Sequence, residues 1–178
     1  MIDVDKNPPS VEINLTAPWF ALGCSATVCS QCGSMTPVFA LALLAGHRVF
    51  LAHDDDDDLN ATPVEPAQGT ANVRWETATG NALLFDVDEI GAAAASRLGP
   101  LAPSFRRDTD VRVDGWVNHC SRCHAILDDH DLFCEPDGVF LPTSPEAAQR
   151  IQFVTIDACF QAAAGGYAYE PAFVVFPG

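Results

Sequence analysis

The chain predicts an α+β fold: a single domain of mainly antiparallel β strands with one or two helices, drawn together by a metal clasp. Three observations carry this. Apolar runs of strand length, bounded by turn residues, recur along the chain without a regular β–α alternation. Only two short stretches carry helix start and stop signals. Two C-x₂-C knuckles, Cys29-Ser-Gln-Cys32 and Cys120-Ser-Arg-Cys123, lie 87 residues apart. That is too far for a compact finger and far enough to tie together two distant parts of one fold. With 178 residues and 48% hydrophobic content, one domain over 1–178 has material for a core of its own.

The elements follow in order. Residues 11–15 alternate apolar and polar and read as a short strand leading to the first knuckle. Residues 37–44 are continuously apolar and read as a buried strand, with a turn at Gly46 and a second strand over 47–52. Asp54, Asp55, Asp56, Asp57 and Asp58 open an acidic, Pro-rich stretch over 54–69 that reads as an exposed loop, because like charges cannot be buried together. Residues 72–78 and 82–87 read as a hairpin around Thr79-Gly80-Asn81. Asp88 caps a predicted helix over 89–98 that Gly99-Pro100 stops. A strand over 112–119 delivers the second knuckle. A short strand over 138–141 precedes a short helix with Ser144 as N-cap and Pro145 at its first position, ending near Arg150. Residues 151–156, 160–164, 167–169 and 173–176 supply further strands.

The cysteines carry the chemistry. Two thiolates from one tight turn can bind the same ion, and two such turns complete a tetrahedral Zn²⁺ site from Cys29, Cys32, Cys120 and Cys123. Gly33 suits a knuckle, since the residue after the second Cys often needs positive φ. His124 stands at that place in the second knuckle, and is either an alternative ligand or an exposed neighbour. Other cysteine chemistries compete. Cys120-Ser-Arg-Cys123-His124 spells a c-type haem attachment sequence, but that chemistry follows export and the first residues lack the basic and apolar regions of an export signal. A thioredoxin-like pair belongs between a strand and a helix, whereas residues after Cys32 are β-rich. A zinc deaminase needs His-x-Glu and Pro-Cys-x-x-Cys, and neither occurs. Cys24 and Cys134 read as partly buried free thiols and Cys159 as a small core residue.

Cys29-Ser-Gln-Cys32-Gly33 with Thr36-Pro37-Val38, and Asn118-His119-Cys120-Ser121-Arg122-Cys123-His124, together resemble a split zinc ribbon. The pattern is similar to that of bacterial proteins of unassigned function in which a C-x₂-C-G-x-x-T-P-V segment and an N-x-C-x₂-C-G segment lie far apart. The likeness covers about 25 residues by eye, departs at His124 where Gly is usual, and implies metal binding without an activity.

Charge bounds the partners. Asp plus Glu number 24 against nine Lys plus Arg, a formal charge of −15, which repels phosphates and disfavours nucleic acid. No apolar stretch reaches membrane-spanning length, so the expectation is a chain off the membrane, in the cytoplasm where thiols stay reduced. Three functions compete. The first is a non-catalytic acidic binding protein, for instance an immunity or inhibitor protein that neutralises a basic toxin, using Asp54 to Asp58 and the cluster Asp128, Asp129 and Asp131. The second is a zinc-dependent hydrolase using the His/Asp-rich segment 119–131, with His119, His124 and His130. The third is a structural or assembly module. No nucleophile elbow or phosphate loop is present.

Overall fold

The computed structural model describes residues 12–51, 74–110 and 113–177. Among these residues, eleven strands form one antiparallel sheet. They are β1 (Leu15–Ala17), β2 (Phe20–Val28), β3 (Met35–Leu43), β4 (Arg48–Leu51), β5 (Arg74–Thr77), β6 (Ala82–Ile90), β7 (Phe105–Asp110), β8 (Val113–His119), β9 (Ile126–Leu127), β10 (Gln152–Ile156) and β11 (Phe160–Tyr169). The main path runs β10-β2-β3-β6-β11-β1-β4-β5, and β8 branches from β6 with β7 and β9 on its two sides. The predicted acidic loop over 54–69, with Asp54 to Asp58, lies outside the described residues.

Alternation along the strands explains how one sheet supports two cores. In β3, Phe39, Leu41 and Leu43 pack on one face with Leu15, Phe20, Leu84 and Phe160. Val38, Ala40 and Ala42 pack on the other with Leu83, Phe133, Phe140 and Ile151. Both faces are dry, so β3 is continuously buried from Val38 onward, as its unbroken apolar run predicts. Cys29 and Cys120 belong to the second core, so two of the four knuckle sulfurs lie in the packed interior, while Cys32 is half-buried and Cys123 is exposed.

Several elements differ from expectation. The helix α1 spans Ala92–Leu101, not 89–98, because β6 continues to Ile90. Asp88 therefore lies in a strand, and Gly91 precedes α1 without a side-chain cap. Gly99-Pro100 does not stop the helix at 98 either; Pro100 lies inside its last turn. Of the predicted hairpin over 72–78 and 82–87, the described residues 74–78 and 82–87 do not pair with each other. β5 pairs with β4, while β6 pairs with β3, β11 and β8. β2 and β7 are strands that the sequence reading does not anticipate, and the runs at 160–164 and 167–169 are one strand, β11, bridged by Gly165-Gly166. Residues 138–141 and 173–176 are turns and irregular chain. The short helix α2 (Pro145–Ala148) starts as predicted: Ser144 Oγ accepts from Ala147 N at 3.2 Å.

Gly115 shows how tightly the branch is built. A Cβ there would lie 2.7 Å from the Val87 carbonyl oxygen on β6, a backbone atom that cannot turn aside. Gly115→Ala is expected to destabilise the fold by about 2–3 kcal/mol, read as a lower urea midpoint.

Candidate metal centre and the adjoining cavity

The first knuckle is the turn that joins β2 to β3, and the second joins β8 to β9. Each closes with the same backbone bonds. Gly33 N donates to Cys29 O at 2.8 Å and Cys29 N to Ser34 O at 2.9 Å; His124 N donates to Cys120 O at 2.9 Å and Cys120 N to Ala125 O at 2.8 Å. Gly33 has φ 68° and His124 φ 62°, so the two turns are conformational equivalents. His124 adopts the glycine geometry at a steric cost. His124→Gly is therefore expected to stabilise the protein by about 1 kcal/mol in thermal or urea unfolding.

The four sulfurs converge. Those of Cys29, Cys32, Cys120 and Cys123 all lie within 4.8 Å of one another, and could hold a metal ion. The closest pairs cross between the knuckles: Cys29 to Cys123 at 3.7 Å and Cys32 to Cys120 at 3.6 Å. Neither His124, Cys24 nor Cys134 joins this group among the described residues. Cys159, expected in the core, is exposed, as is Cys134, while Cys24 is half-buried.

The electrostatics favour thiolates at Cys120 and Cys32. The backbone N–H groups of Cys123 and Arg122 point at Cys120 and bring its thiol down to about 6. Ser34, through its backbone N–H and its hydroxyl, lowers Cys32. At Cys123 the Ala125 N–H favours the thiolate, but desolvation and the neighbouring thiols Cys32, Cys120 and Cys29 outweigh it and push the group up to about 12. The first negative charge forms readily and the later ones repel it. A cation in the middle removes that penalty, and its binding releases protons.

Two non-cysteine residues lock the knuckles together. Thr36 is buried, and its Oγ1 accepts from Ser121 N at 2.9 Å. Asn118 is fully buried, and its amide bonds the backbone of β3 twice: Phe39 N donates to Oδ1 at 2.8 Å and Nδ2 donates to Phe39 O at 2.9 Å. These are the Thr and Asn of the paired motifs. Arg122 adds an exposed bond to Ser34 Oγ at 2.8 Å.

The His/Asp-rich segment does not converge. His119 is buried beneath the second knuckle; its Nδ1 faces the carbonyls of Val117 and Ser104, and its Nε2 lies 2.8 Å from Asp108 Oδ2. His124 and His130 are exposed. Asp128, Asp129 and Asp131 separate as well. The first two line a cavity of about 990 Å³, whereas Asp131 sits exposed on a π-helical turn, His130–Cys134.

That cavity opens beside Cys123. Asp86 and Asp88 of β6, Asp114 of β8, Asp128 and Asp129 line it, with Trp116 supplying an aromatic wall, and among the described residues none that lines it is basic. Sequence reasoning missed Asp86, Asp88 and Asp114, because only the β6–β8 pairing of Val87 with Trp116 brings them to the segment 128–129. Arg107 pairs with Glu89 and, at 3.1 Å, with Asp114, which offsets part of the charge at the rim. Asp129 Oδ2 accepts from Asp86 N at 3.0 Å, while Oδ1 is buried without a hydrogen-bond partner.

Burial, reinforced by the charges of Asp86 and Asp128, raises Asp129 to about 6 despite the Asp86 N–H. Its unfolded value is about 3.9. Between roughly pH 4 and pH 6 the folded protein therefore holds a proton that the unfolded chain has lost, and stability falls as pH rises through that window. Asp129→Asn is expected to stabilise by about 1–3 kcal/mol at pH near 7.5 and by much less near pH 4, measured as paired urea titrations.

No protein-family model, curated protein or solved structure matches the chain. No helix among the described residues is long and apolar enough to cross a membrane.

Proposed function

We propose that the protein is a non-catalytic, zinc-stabilised binding protein that captures a basic protein partner in the acidic cavity beside the cysteine cluster. Zinc is the metal that suits four thiolates. Ligands about 2.3 Å from a tetrahedral centre lie roughly 3.8 Å apart, close to the 3.6 and 3.7 Å of the cross-knuckle pairs. Four sulfurs close the coordination shell, leaving no position for the water that a hydrolase activates. His119, the buried histidine of the segment, is held by Asp108 and backbone carbonyls. The likeness of the two knuckles to a split zinc ribbon supports the same reading, and reduced, metal-bound thiols suit a cytoplasmic location.

The observation that carries the binding reading is the cavity itself. Five aspartates from three separate segments face one recess with an aromatic wall and, among the described residues, no lining cation. Guanidinium and ammonium groups are attracted by both carboxylates and aromatic faces. An immunity or inhibitor protein directed at a basic toxin would use such a site, and the formal charge of −15 would speed encounter.

Titration calorimetry with a tetra-arginine peptide tests this. Binding is expected to weaken steeply with added salt and to drop about tenfold or more in an Asp88→Asn/Asp128→Asn variant. Affinity should also rise between pH 5 and 7 as Asp129 ionises. Equal binding by the variant and the parent would remove the cavity from the account.

A further inference from the structure

Among the described residues, β10 is the end strand of the sheet, paired with β2 on one side. Its sequence, Gln152-Phe153-Val154-Thr155-Ile156, contains no charge, proline or glycine, and its register with β2 runs without a bulge. Those are the devices by which edge strands avoid pairing with another chain, and none is present. Val154 is 47% exposed, and Gln152 and Thr155 are exposed as well. Among the described residues, the backbone groups of 152–155 bond to no element besides β2. Phe153 stacks on Phe176 with ring centroids 5.5 Å apart, which extends the apolar surface next to the edge.

We propose that a second copy of this chain pairs with β10, antiparallel about a two-fold axis through Val154, joining two sheets into one. Charge placement selects a second copy as the occupant. Exposed Arg150 precedes the uncharged strand and exposed Asp157 follows it. Antiparallel self-pairing sets Val154 opposite Val154, Phe153 opposite Thr155 and Gln152 opposite Ile156. It also brings Arg150 within one residue of Asp157 of the second copy at both ends of the ribbon. A parallel arrangement would set like charges side by side. Each free backbone edge then satisfies the other. The formal charge of −15 on each copy opposes association at long range, so this dimer strengthens as salt screens the repulsion. Capture of a basic peptide has the opposite salt dependence.

Sedimentation velocity of the full-length chain at low and high salt tests the pairing. The expected result is a shift from the monomer mass of 19.0 kDa toward twice that value with rising concentration, more pronounced at high salt. Val154→Lys places two ammonium groups face to face on the axis and should raise the dimer dissociation constant by at least about tenfold, with the circular dichroism of the parent. Val154→Cys should form a covalent dimer under mild oxidation faster than Gln152→Cys, because only the residue on the axis meets its own copy. A monomer at every salt concentration would overturn the proposal, including one that instead binds a strand of another protein. So would a dimer that Val154→Lys leaves intact or a Gln152→Cys variant that cross-links as fast as Val154→Cys.

Discussion

Replacing Cys29 or Cys120 with serine is expected to abolish metal binding and remove about 5 kcal/mol of stability, a fall of roughly 10–20 °C in Tm for a chain of this size. Both side chains are fully buried in the core beneath the sheet. Without an ion, three thiols remain within 4.8 Å of each other, with no cation to offset the charge of any that ionises. Their packing neighbours, among them Val38, Leu127 and Phe140, then border a polar void. Cys24→Ser, Cys134→Ser and Cys159→Ser are the controls. Those cysteines lie outside the cluster, so each should retain the metal and cost no more than about 1 kcal/mol. Differential scanning calorimetry with metal analysis of the same samples separates the two groups.

Asn118→Ala, although it removes no sulfur ligand, is expected to be the next most damaging change. Its amide supplies both hydrogen bonds of a missing strand neighbour to Phe39, at a point where β3 has left β6 behind; the pairing of those strands covers only Leu41 to Leu43. Alanine would strand a buried N–H and a buried C=O, at about 1–3 kcal/mol each. The expected loss is therefore about 3 kcal/mol in urea unfolding. Asn118→Asp should not rescue it, because a carboxylate accepts from Phe39 N but turns an oxygen toward Phe39 O. Thr36→Val, which removes one acceptor for Ser121 N, should cost nearer to 1 kcal/mol. Both variants loosen the hold of one knuckle on the other, so metal affinity should fall along with stability.

The cysteine cluster was legible in the sequence because its spacing is local: each C-x₂-C fits one turn, and only the meeting of the two turns needed the fold. Strand β8 and the start of α2 were legible for the same reason, the first from its place directly before a knuckle and the second from Ser144-Pro145. The errors arise where tertiary pairing overrides local pattern. Asp88 resembles an N-cap, yet β6 is held in extended form by β11 and β8 to Ile90, and the helix waits until Gly91 releases the chain. Thr79-Gly80-Asn81 resembles a hairpin turn, yet β4 and β3 compete successfully for the strands on either side. The roles of Thr36 and Asn118 depend on partners 79 or more residues away, and the cavity depends on aspartates from three segments. No window of sequence contains those distances.

X-ray absorption at the zinc edge of the purified protein tests the central claim most directly. One zinc per chain with four sulfur neighbours at about 2.3 Å is the predicted result. Protein that folds with full stability and carries no metal would contradict it, as would a zinc site with nitrogen or oxygen in its first coordination sphere.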